Sequence, residues 1–216
     1  MKVWAVVPAA GTGERLGGGM PKAQRMLAGR PIIDWCVSAL MQGVQGIVVA
    51  GPTEITECFA TPVTRVDGGE TRQQSVSNAL GAIPTDTTHV LVHDAARPLV
   101  SAALIQLVIA TLKEYDAVVP ALRVNDTIKR VHEDVIQDTL PRNDLWRAQT
   151  PQGFRLSLLR EAHARAADDA FEATDDAALV ERLGLHPVVV PGEQTNIKIT
   201  TAEDLDLAET IVRARA

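Results

Sequence analysis

Cysteine is scarce in this sequence, and basic clusters and long apolar runs are missing. Cys36 and Cys58, the two cysteines in 216 residues, form no disulfide framework and no zinc-ligand spacing, which favours a reducing, cytoplasmic setting. The formal net charge is -6, and the absence of any block of Lys and Arg argues against binding of duplex nucleic acid. No segment approaches the roughly 18 apolar residues of a membrane span. We therefore expect neither nucleic acid nor membrane as a partner.

The chain length and the apolar pattern predict one α/β domain over residues 1–216. Short runs that are apolar throughout alternate with helical segments, which favours a single Rossmann-like domain with a mainly parallel sheet and helices on both faces. The predicted strands are 3–7, 47–50, 89–93, 117–122, 187–190 and 196–199. The predicted helices are 31–42, 71–83, 102–113, 156–167, 177–183 and 202–213. Ligands of such sheets bind beyond the carboxyl ends of strands, here after Val7, Val49, Val92 and Leu122.

Residues 123–148 interrupt this alternation. Residues 127–131 carry the apolar side chains Ile128 and Val131 among polar ones, a polar stretch follows at 132–134, and two apolar residues come next, which is typical of a hairpin. An isolated hairpin is only marginally stable. We therefore expect residues 123–148 to form an inserted β-arm that protrudes and packs against a partner subunit.

A glycine-rich loop, residues 8–22, follows the first predicted strand. Small residues let the backbone fold around phosphates and present N–H groups to them. Arg15 and Lys22 add two cations, which suit the negative charge that develops on a phosphorus undergoing displacement. The loop is therefore interpreted as a nucleoside triphosphate loop.

Other interpretations of this loop fit less well. A dinucleotide fingerprint would use Gly11 and Gly13, but Leu16 occupies the third glycine position and the second strand ends Val49-Ala50-Gly51, without the acid that would hold a ribose hydroxyl. A P-loop would need a Gly-Lys-Ser/Thr ending, which the loop lacks. A surface loop without function is the remaining alternative.

Asp94 follows another predicted strand and is a candidate ligand of Mg²⁺, which binds triphosphates through one or two carboxylates and phosphate oxygens. Taken alone, Asp94 could equally cap a helix or stabilise a turn. Arg97 lies close by in sequence, and it could pair with a structural acid instead of a ligand. The expected proximity of both residues to the glycine loop favours the functional interpretation.

Residues 67–76 open a predicted helix and contain Gly68 and Gly69. Two glycines permit a close approach to a flat base, and the Ser75 hydroxyl could recognise a pyrimidine edge. A turn in which Thr71 caps the helix explains the same residues. The histidines are interpreted as isolated, with His93 a packed strand residue.

Taken together, these motifs resemble those of the 2-C-methyl-D-erythritol 4-phosphate cytidylyltransferase family. The glycine loop alone would indicate only the wider nucleotidyltransferase superfamily. The matching residues run through nearly the whole chain: Pro8, Ala9, Ala10, Gly11, Gly13, Arg15, Pro21, Lys22, Asp67, Gly68, Gly69, Arg72, Ser75, Val76, 93–98, 150–152, Thr174, Asp175 and 196–198.

The resemblance implies transfer of a cytidylyl group from CTP to methylerythritol phosphate with release of pyrophosphate, in isoprenoid precursor synthesis. It implies that Arg15 and Lys22 stabilise the transition state and that Asp94 holds Mg²⁺ or another divalent cation. The implied CTP site comprises Pro8, Ala9, Ala10, Gly11, Thr12, Gly13, Gly69, Glu70, Ser75, Asp94 and Ala95. The implied acceptor site comprises Arg97, Thr127, Arg142, Thr150, Thr174 and Lys198.

The resemblance further implies a homodimer formed through the β-arm, with Thr127 and Arg142 completing the partner's acceptor site. Three other functions stay open from the sequence: a cytidylyltransferase for another polyol phosphate such as ribitol 5-phosphate, a nucleotide-binding module without catalysis, and a nicotinamide oxidoreductase.

Overall fold

The computed structural model describes residues 1–11, 13 and 21–215, and it contains an eight-stranded central sheet. Within this sheet the strands are β1 (Val3–Pro8), β4 (Ile47–Ala50), β5 (Thr64–Val66), β6 (His89–Val92), β7 (Ala117–Arg123), β10 (Trp146–Ala148), β11 (Gln152–Arg155) and β12 (Val188–Pro191). Two short two-stranded sheets comprise β2 (Met26–Leu27) with β3 (Arg30–Pro31), and β8 (Ile128–His132) with β9 (Val135–Leu140). The α-helices are α1 (Ile32–Leu40), α2 (Arg72–Gly81), α3 (Ala102–Thr111), α4 (Leu156–Asp168), α5 (Asp176–Arg182) and α6 (Ala202–Arg215).

The middle of the sheet is parallel. Strand β1 lies between β4 and β6, and β5 continues the parallel order beyond β4. Strand β11 runs antiparallel between β6 and β7, while β10 also pairs antiparallel with β7 and β12 pairs with it in parallel. The carboxyl ends of β1, β4 and β6 consequently meet at one edge, where the sequence predicted a ligand.

Both faces of the sheet are covered, as the apolar strands predicted. On one face, Val7 and Leu91 belong to a buried cluster that includes Val37 of α1 and Leu104 of α3. On the other face, Val6 belongs to a buried cluster with residues of α2, α4 and α5. The α/β fold class is therefore confirmed, with a core on each side of the sheet.

Side-chain caps fix where several helices begin. The Thr71 hydroxyl accepts the Gln74 N–H at the start of α2, and Ser101 caps α3 in the same way. Each such cap satisfies a backbone donor that has no partner within its helix. The capping interpretation of Thr71 is therefore confirmed.

One predicted strand is wrong. Residues 196–199 form no strand in the described structure. Their backbone groups bond elsewhere: the Asn196 carbonyl accepts from the Arg97 guanidinium, and the Ile199 N–H donates to the carbonyl of Ala96. The segment is therefore held against the loop after β6 instead of being paired along a strand.

The predicted hairpin is present as β8 and β9, at residues 128–140 of the predicted arm. Its apolar side chains Val131, Val135 and Ile136 are 52%, 60% and 60% exposed. None of the described helices is both long enough and apolar enough to cross a membrane.

Candidate active site

A first cavity of about 380 Å³ opens at the carboxyl ends of β1 and β6. Its walls come from the loop after β1, the loop that precedes α2, the loop after β6 and the segment after β12. The lining residues are Pro8, Ala9, Ala10, Gly11, Lys22, Ala23, Gly69, Glu70, Thr71, Arg72, Ser75, Asp94, Ala95, Ala96 and Lys198. Within the described chain, the residues after β4 and β7 do not line it, so two of the four predicted strand ends form the cavity.

The predicted CTP-site residues are brought together at this cavity, apart from Thr12 and Gly13. Thr12 lies outside the described residues, as does the predicted catalytic residue Arg15. Gly13 adopts a positive φ of 71°, which favours glycine, and an added Cβ would lie 3.0 Å from the Lys22 Cβ. Gly13 therefore lies directly against Lys22, which itself lines the cavity.

Gly68 allows the loop before α2 to approach the glycine loop closely. A Cβ at this position would lie 2.4 Å from the Ala10 Cβ, too close for any side chain. The Ser75 hydroxyl accepts the Gly69 N–H at 3.0 Å and donates to the Thr71 carbonyl at 2.9 Å. Because its single hydrogen is committed, Ser75 shapes the loop and has only acceptor capacity left for a base.

Asp94 lines the cavity, and its buried carboxylate lies between two cations. Arg72 Nε lies 3.0 Å from its Oδ1, and Lys198 Nζ lies 2.8 Å from its Oδ2. Burial acts to raise the pKa of the Asp94 carboxyl, but the charges of Arg72 and Lys198 outweigh burial and hold this pKa well below its usual range. Asp94 is therefore an anion fixed at both oxygens.

Arg72 is a site residue to which the sequence assigned no role. It lines the cavity, and its Nη1 donates to Asp176 Oδ2 at 2.8 Å while its Nε holds Asp94. Asp176 is buried and also bonds His163 Nε2 at 3.0 Å, so His163 is not isolated. Burial acts to raise the pKa of Asp176, yet His163 and Arg72 lower it overall. A buried anion thus anchors the guanidinium.

A second cavity of about 200 Å³ shares Arg72, Asp94 and Lys198 with the first. Its remaining lining residues are Arg97, Ala148, Gln149, Thr150, Gln152, Thr174 and Asp175. The predicted acceptor-site residues Arg97, Thr150, Thr174 and Lys198 therefore meet here. The two cavities touch where the Arg72–Asp94–Lys198 ion pairs lie.

Arg97 lines this second cavity from the loop after β6. Its Nη1 donates to the Asn196 carbonyl at 2.7 Å and its Nη2 approaches the Ala148 carbonyl at 3.4 Å, so carbonyl oxygens rather than a structural carboxylate hold it. Burial lowers the pKa of Arg97 from its ordinary value. Its Nε is buried and has no hydrogen-bond partner among the described residues.

Gln149 and Thr150 place the segment that carries Lys198. Gln149 Nε2 donates to the Glu193 carbonyl at 2.8 Å, and Asn196 Nδ2 donates to the Thr150 carbonyl at 2.8 Å. These bonds hold residues 193–196 beside β10 and β11. Lys198, two residues further on, is thereby directed back to Asp94.

Thr127 and Arg142, predicted to act through a dimer, lie outside both cavities of the described chain. Arg142 Nη1 donates to the carbonyl of Asn125 at the base of the hairpin. Thr127 and Arg142 are both exposed. Their assignment to a partner's acceptor site stays a prediction.

The residues present suit a hard divalent cation. Mg²⁺ uses one or two carboxylates and completes its shell with water and phosphate oxygens. Asp94 supplies one anionic carboxylate in the wall shared by both cavities. Among the described residues no three His, Cys, Asp or Glu side chains form a group that could hold a metal ion, so such a cation would depend on a bound phosphate and water for its remaining ligands.

Comparison with known proteins identifies the family. The family model described as 2-C-methyl-D-erythritol 4-phosphate cytidylyltransferase matches residues 3–214. The chain belongs to this family. A curated member from Gloeobacter violaceus is 43% identical over 223 residues, covering 97% of this chain and 96% of the relative. A member from Nostoc is 39% identical, covering 99% of each.

Solved structures of the 2-C-methyl-D-erythritol 4-phosphate cytidylyltransferase family agree. The crystal structure of the protein from Thermus thermophilus has a TM-score of 0.85 and 38% identity, covering 99% of this chain and all of that one. That from Francisella tularensis has a TM-score of 0.86 and 33% identity, covering 97% and 99%. The resemblance found in the sequence is thus confirmed, and the chain is a nucleotidyltransferase of the cytidylyltransferase family.

Proposed function

We propose that this chain transfers the cytidylyl group of CTP to 2-C-methyl-D-erythritol 4-phosphate and releases pyrophosphate. The observation that carries this proposal is the pair of cavities that meet at Asp94, Arg72 and Lys198 in a member of the cytidylyltransferase family. A reaction between two phosphorylated substrates is favoured when adjoining pockets hold both of them, and cations at the junction offset their negative charge.

CTP would occupy the first cavity. Its base would lie between the glycine loop and the Gly68–Gly69 turn, and its triphosphate would extend towards Lys22. Backbone N–H groups of small residues suit the phosphates, because no Cβ blocks their approach. Lys22, and Arg15 in the undescribed part of the same loop, would offset the charge that develops on the α-phosphate.

The acceptor phosphate would occupy the second cavity, near Arg97 and Lys198. One of its oxygens attacks the α-phosphorus, the bond from that phosphorus to the β-bridging oxygen breaks, and pyrophosphate leaves with the electron pair. The attacking oxygen is already an anion, so the step requires no general base. The site must hold two polyanions so that the attacking oxygen lies opposite the pyrophosphate leaving group.

Asp94 would hold a divalent cation, Mg²⁺ or a similar ion, against the triphosphate. When bound, such an ion neutralises phosphate charge and orients the triphosphate. The protein's own contribution is a carboxylate kept anionic and in place by Arg72 and Lys198.

The exposed hairpin supports a proposal of a homodimer. Val131 and Ile136 are cross-strand partners on the hairpin, and both are more than half exposed. A hairpin with apolar side chains gains stability when a second copy covers them. Thr127 and Arg142 at its base would then reach the partner's second cavity.

A parallel assay tests the function. The purified protein is incubated with CTP, Mg²⁺ and either 2-C-methyl-D-erythritol 4-phosphate or ribitol 5-phosphate, and pyrophosphate release is followed. We expect release with the first acceptor and little with the second. Equal rates, or release with ribitol 5-phosphate alone, would refute the acceptor assignment. Replacing CTP by ATP, GTP or UTP controls for the base.

A further inference from the structure

His93 lies between the two segments that build the second cavity. It directly follows β6, its ring is fully buried, and both ring nitrogens are bonded. Nδ1 lies 3.0 Å from the Thr150 hydroxyl oxygen, and Nε2 lies 3.0 Å from the Arg97 carbonyl oxygen. The same Thr150 oxygen accepts the backbone N–H of Asp94 at 3.0 Å. The ring thus touches the segment that leads into β11 on one side and the loop after β6 on the other.

The hydrogen-bond directions follow from these partners. The Arg97 carbonyl only accepts, so His93 Nε2 carries the proton. The ring is fully buried and both of its hydrogen-bond partners are uncharged, which fits a neutral ring with its single proton on Nε2, so Nδ1 is an acceptor. The Thr150 hydroxyl must therefore donate to Nδ1, while its oxygen accepts the Asp94 N–H. One continuous chain runs from the Asp94 amide through Thr150 and His93 to the Arg97 carbonyl.

We propose that His93 is a positioning residue that fixes Asp94 and Arg97 relative to each other through its two ring nitrogens. The proposal rests on the function proposed above, because Asp94 stands at the junction of both cavities and Arg97 only at the second. His93 lines neither cavity of the described chain. It acts through Thr150, which aligns Asp94, and through the backbone carbonyl of Arg97, whose side chain lines the second cavity.

Two amide substitutions test the two hydrogen bonds of the His93 ring separately. His93→Gln places an amide near the position of Nε2 and can still donate to the Arg97 carbonyl, but it loses Thr150. His93→Asn places an amide oxygen near the position of Nδ1 and can still accept from Thr150, but it loses Arg97. A variant that keeps the bond to Arg97 should keep the KM of the acceptor, and a variant that keeps the bond to Thr150 should keep kcat.

We expect His93→Asn to raise the KM of the acceptor about tenfold or more while the KM of CTP changes by less than about twofold. We expect His93→Gln to lower kcat about tenfold or more at saturating substrates, because Asp94 loses its alignment. Leu159→Ala is the control for destabilisation alone. It truncates a buried side chain of α4 that is absent from the described lining of both cavities, and it should lower the melting temperature with kinetic constants of the folded enzyme unchanged.

A double-variant cycle checks the path through Thr150. Thr150→Val removes the hydroxyl through which His93 acts on Asp94, so adding His93→Gln to Thr150→Val should change kcat little further, whereas adding His93→Asn to Thr150→Val should multiply the two effects. If both amide variants shifted kcat and both KM values in parallel, or if they matched Leu159→Ala, His93 would be a packing residue only and the proposal would be overturned.

One measurement is independent of turnover. The ¹⁵N chemical shifts of the His93 ring distinguish a proton on Nε2 from one on Nδ1. We expect the Nε2–H form near pH 7 in the unliganded protein, and an Nδ1–H form would overturn the proposed chain. If the tautomer is as expected but the wild type releases no pyrophosphate, the proposed function fails while the hydrogen-bond chain stands.

Discussion

Lys198 Nζ and Asp94 Oδ2 lie 2.8 Å apart, although the two residues come from opposite halves of the sequence. Lys198 is half-exposed and Asp94 is buried. Both residues line both cavities, so their ion pair stands at the boundary that the two substrates would share. Charge at this boundary is therefore the property that substitutions should test first.

Asp94→Asn should lower kcat by about 10²-fold or more, because it removes the carboxylate that would hold the proposed divalent cation and leaves Arg72 and Lys198 without their shared anion. Steady-state pyrophosphate release at saturating CTP and acceptor measures this. Asp86→Asn, which removes a surface partner of Lys2, is the control and should retain full activity. An Asp94→Asn enzyme within a few-fold of wild type would contradict the assignment.

The stability contribution of Asp94 should depend on pH. Because its pKa is lower in the folded than in the unfolded chain, the contribution is complete above about pH 4 and is lost as the pH falls towards the folded pKa. Urea unfolding of wild type and Asp94→Asn should show a gap of up to about 3 kcal/mol at pH 7. The gap should shrink below about pH 4, and a gap that stays constant down to about pH 3 would refute this reasoning.

Arg72→Lys should lower kcat by about 10- to 100-fold, because one ammonium cannot bridge Asp94 and Asp176 as the guanidinium does. Asp176→Asn should give a similar loss, and the two changes together should be less than multiplicative. Arg160→Lys is the matched control, since Arg160 donates to the carbonyls of Leu80 and Ile83 at the far end of α2. An equal loss of kcat in that control would point to general destabilisation.

Arg97→Lys should raise the KM of the acceptor by about 10- to 100-fold and leave the KM of CTP nearly unchanged, because Arg97 lines the second cavity and not the described part of the first. The guanidinium offers a charge-assisted donor that one ammonium cannot replace at the same place. Arg155→Lys is the control, because Arg155 lies at the end of β11 away from Thr150, pairs with the exposed Asp116 and is absent from the described lining of both cavities. A matching rise in the KM of CTP would show that the cavities are assigned incorrectly.

The double substitution Val131→Glu and Ile136→Glu should convert a dimer into a monomer. Both side chains are on the hairpin and more than half exposed, so the substitutions leave both cores of the central sheet intact. Sedimentation velocity and the melting temperature measure association and folding separately. A wild-type monomer would refute the homodimer proposal, and a double variant that stays dimeric would place the interface elsewhere.

Local chemistry in the sequence predicted much of the site. The small residues after β1 and the Asp94 loop after β6 are each contiguous, and the rule that strand ends meet at one edge brings them together. Arg72 and Asp176 are a different case. Their contact spans 104 residues, and no spacing or periodicity in either segment indicates it.

Strand β11 shows the same limit for the fold. Its four residues, Gln152–Arg155, include a single large apolar side chain, Phe154, so they carry no strand pattern of their own. They are extended because β6 and β7 offer bonds on both sides. Residues 196–199 are the opposite case. Their polar and apolar side chains alternate as in a strand, but their backbone bonds to Arg97 and Ala96 instead of pairing in a sheet.

The reversed direction of β11 has a consequence for how this enzyme family can diversify. Gln152 pairs with Val92, so β11 starts at the rim where its parallel neighbours finish. This edge of the sheet is therefore formed both by the segment that follows the hairpin and by the loops that follow the parallel strands. Changes in length within residues 141–150 would act first on Thr150 and the second cavity, and would reach the first cavity only through Asp94, which offers evolution an adjustment aimed mainly at the size of the alcohol.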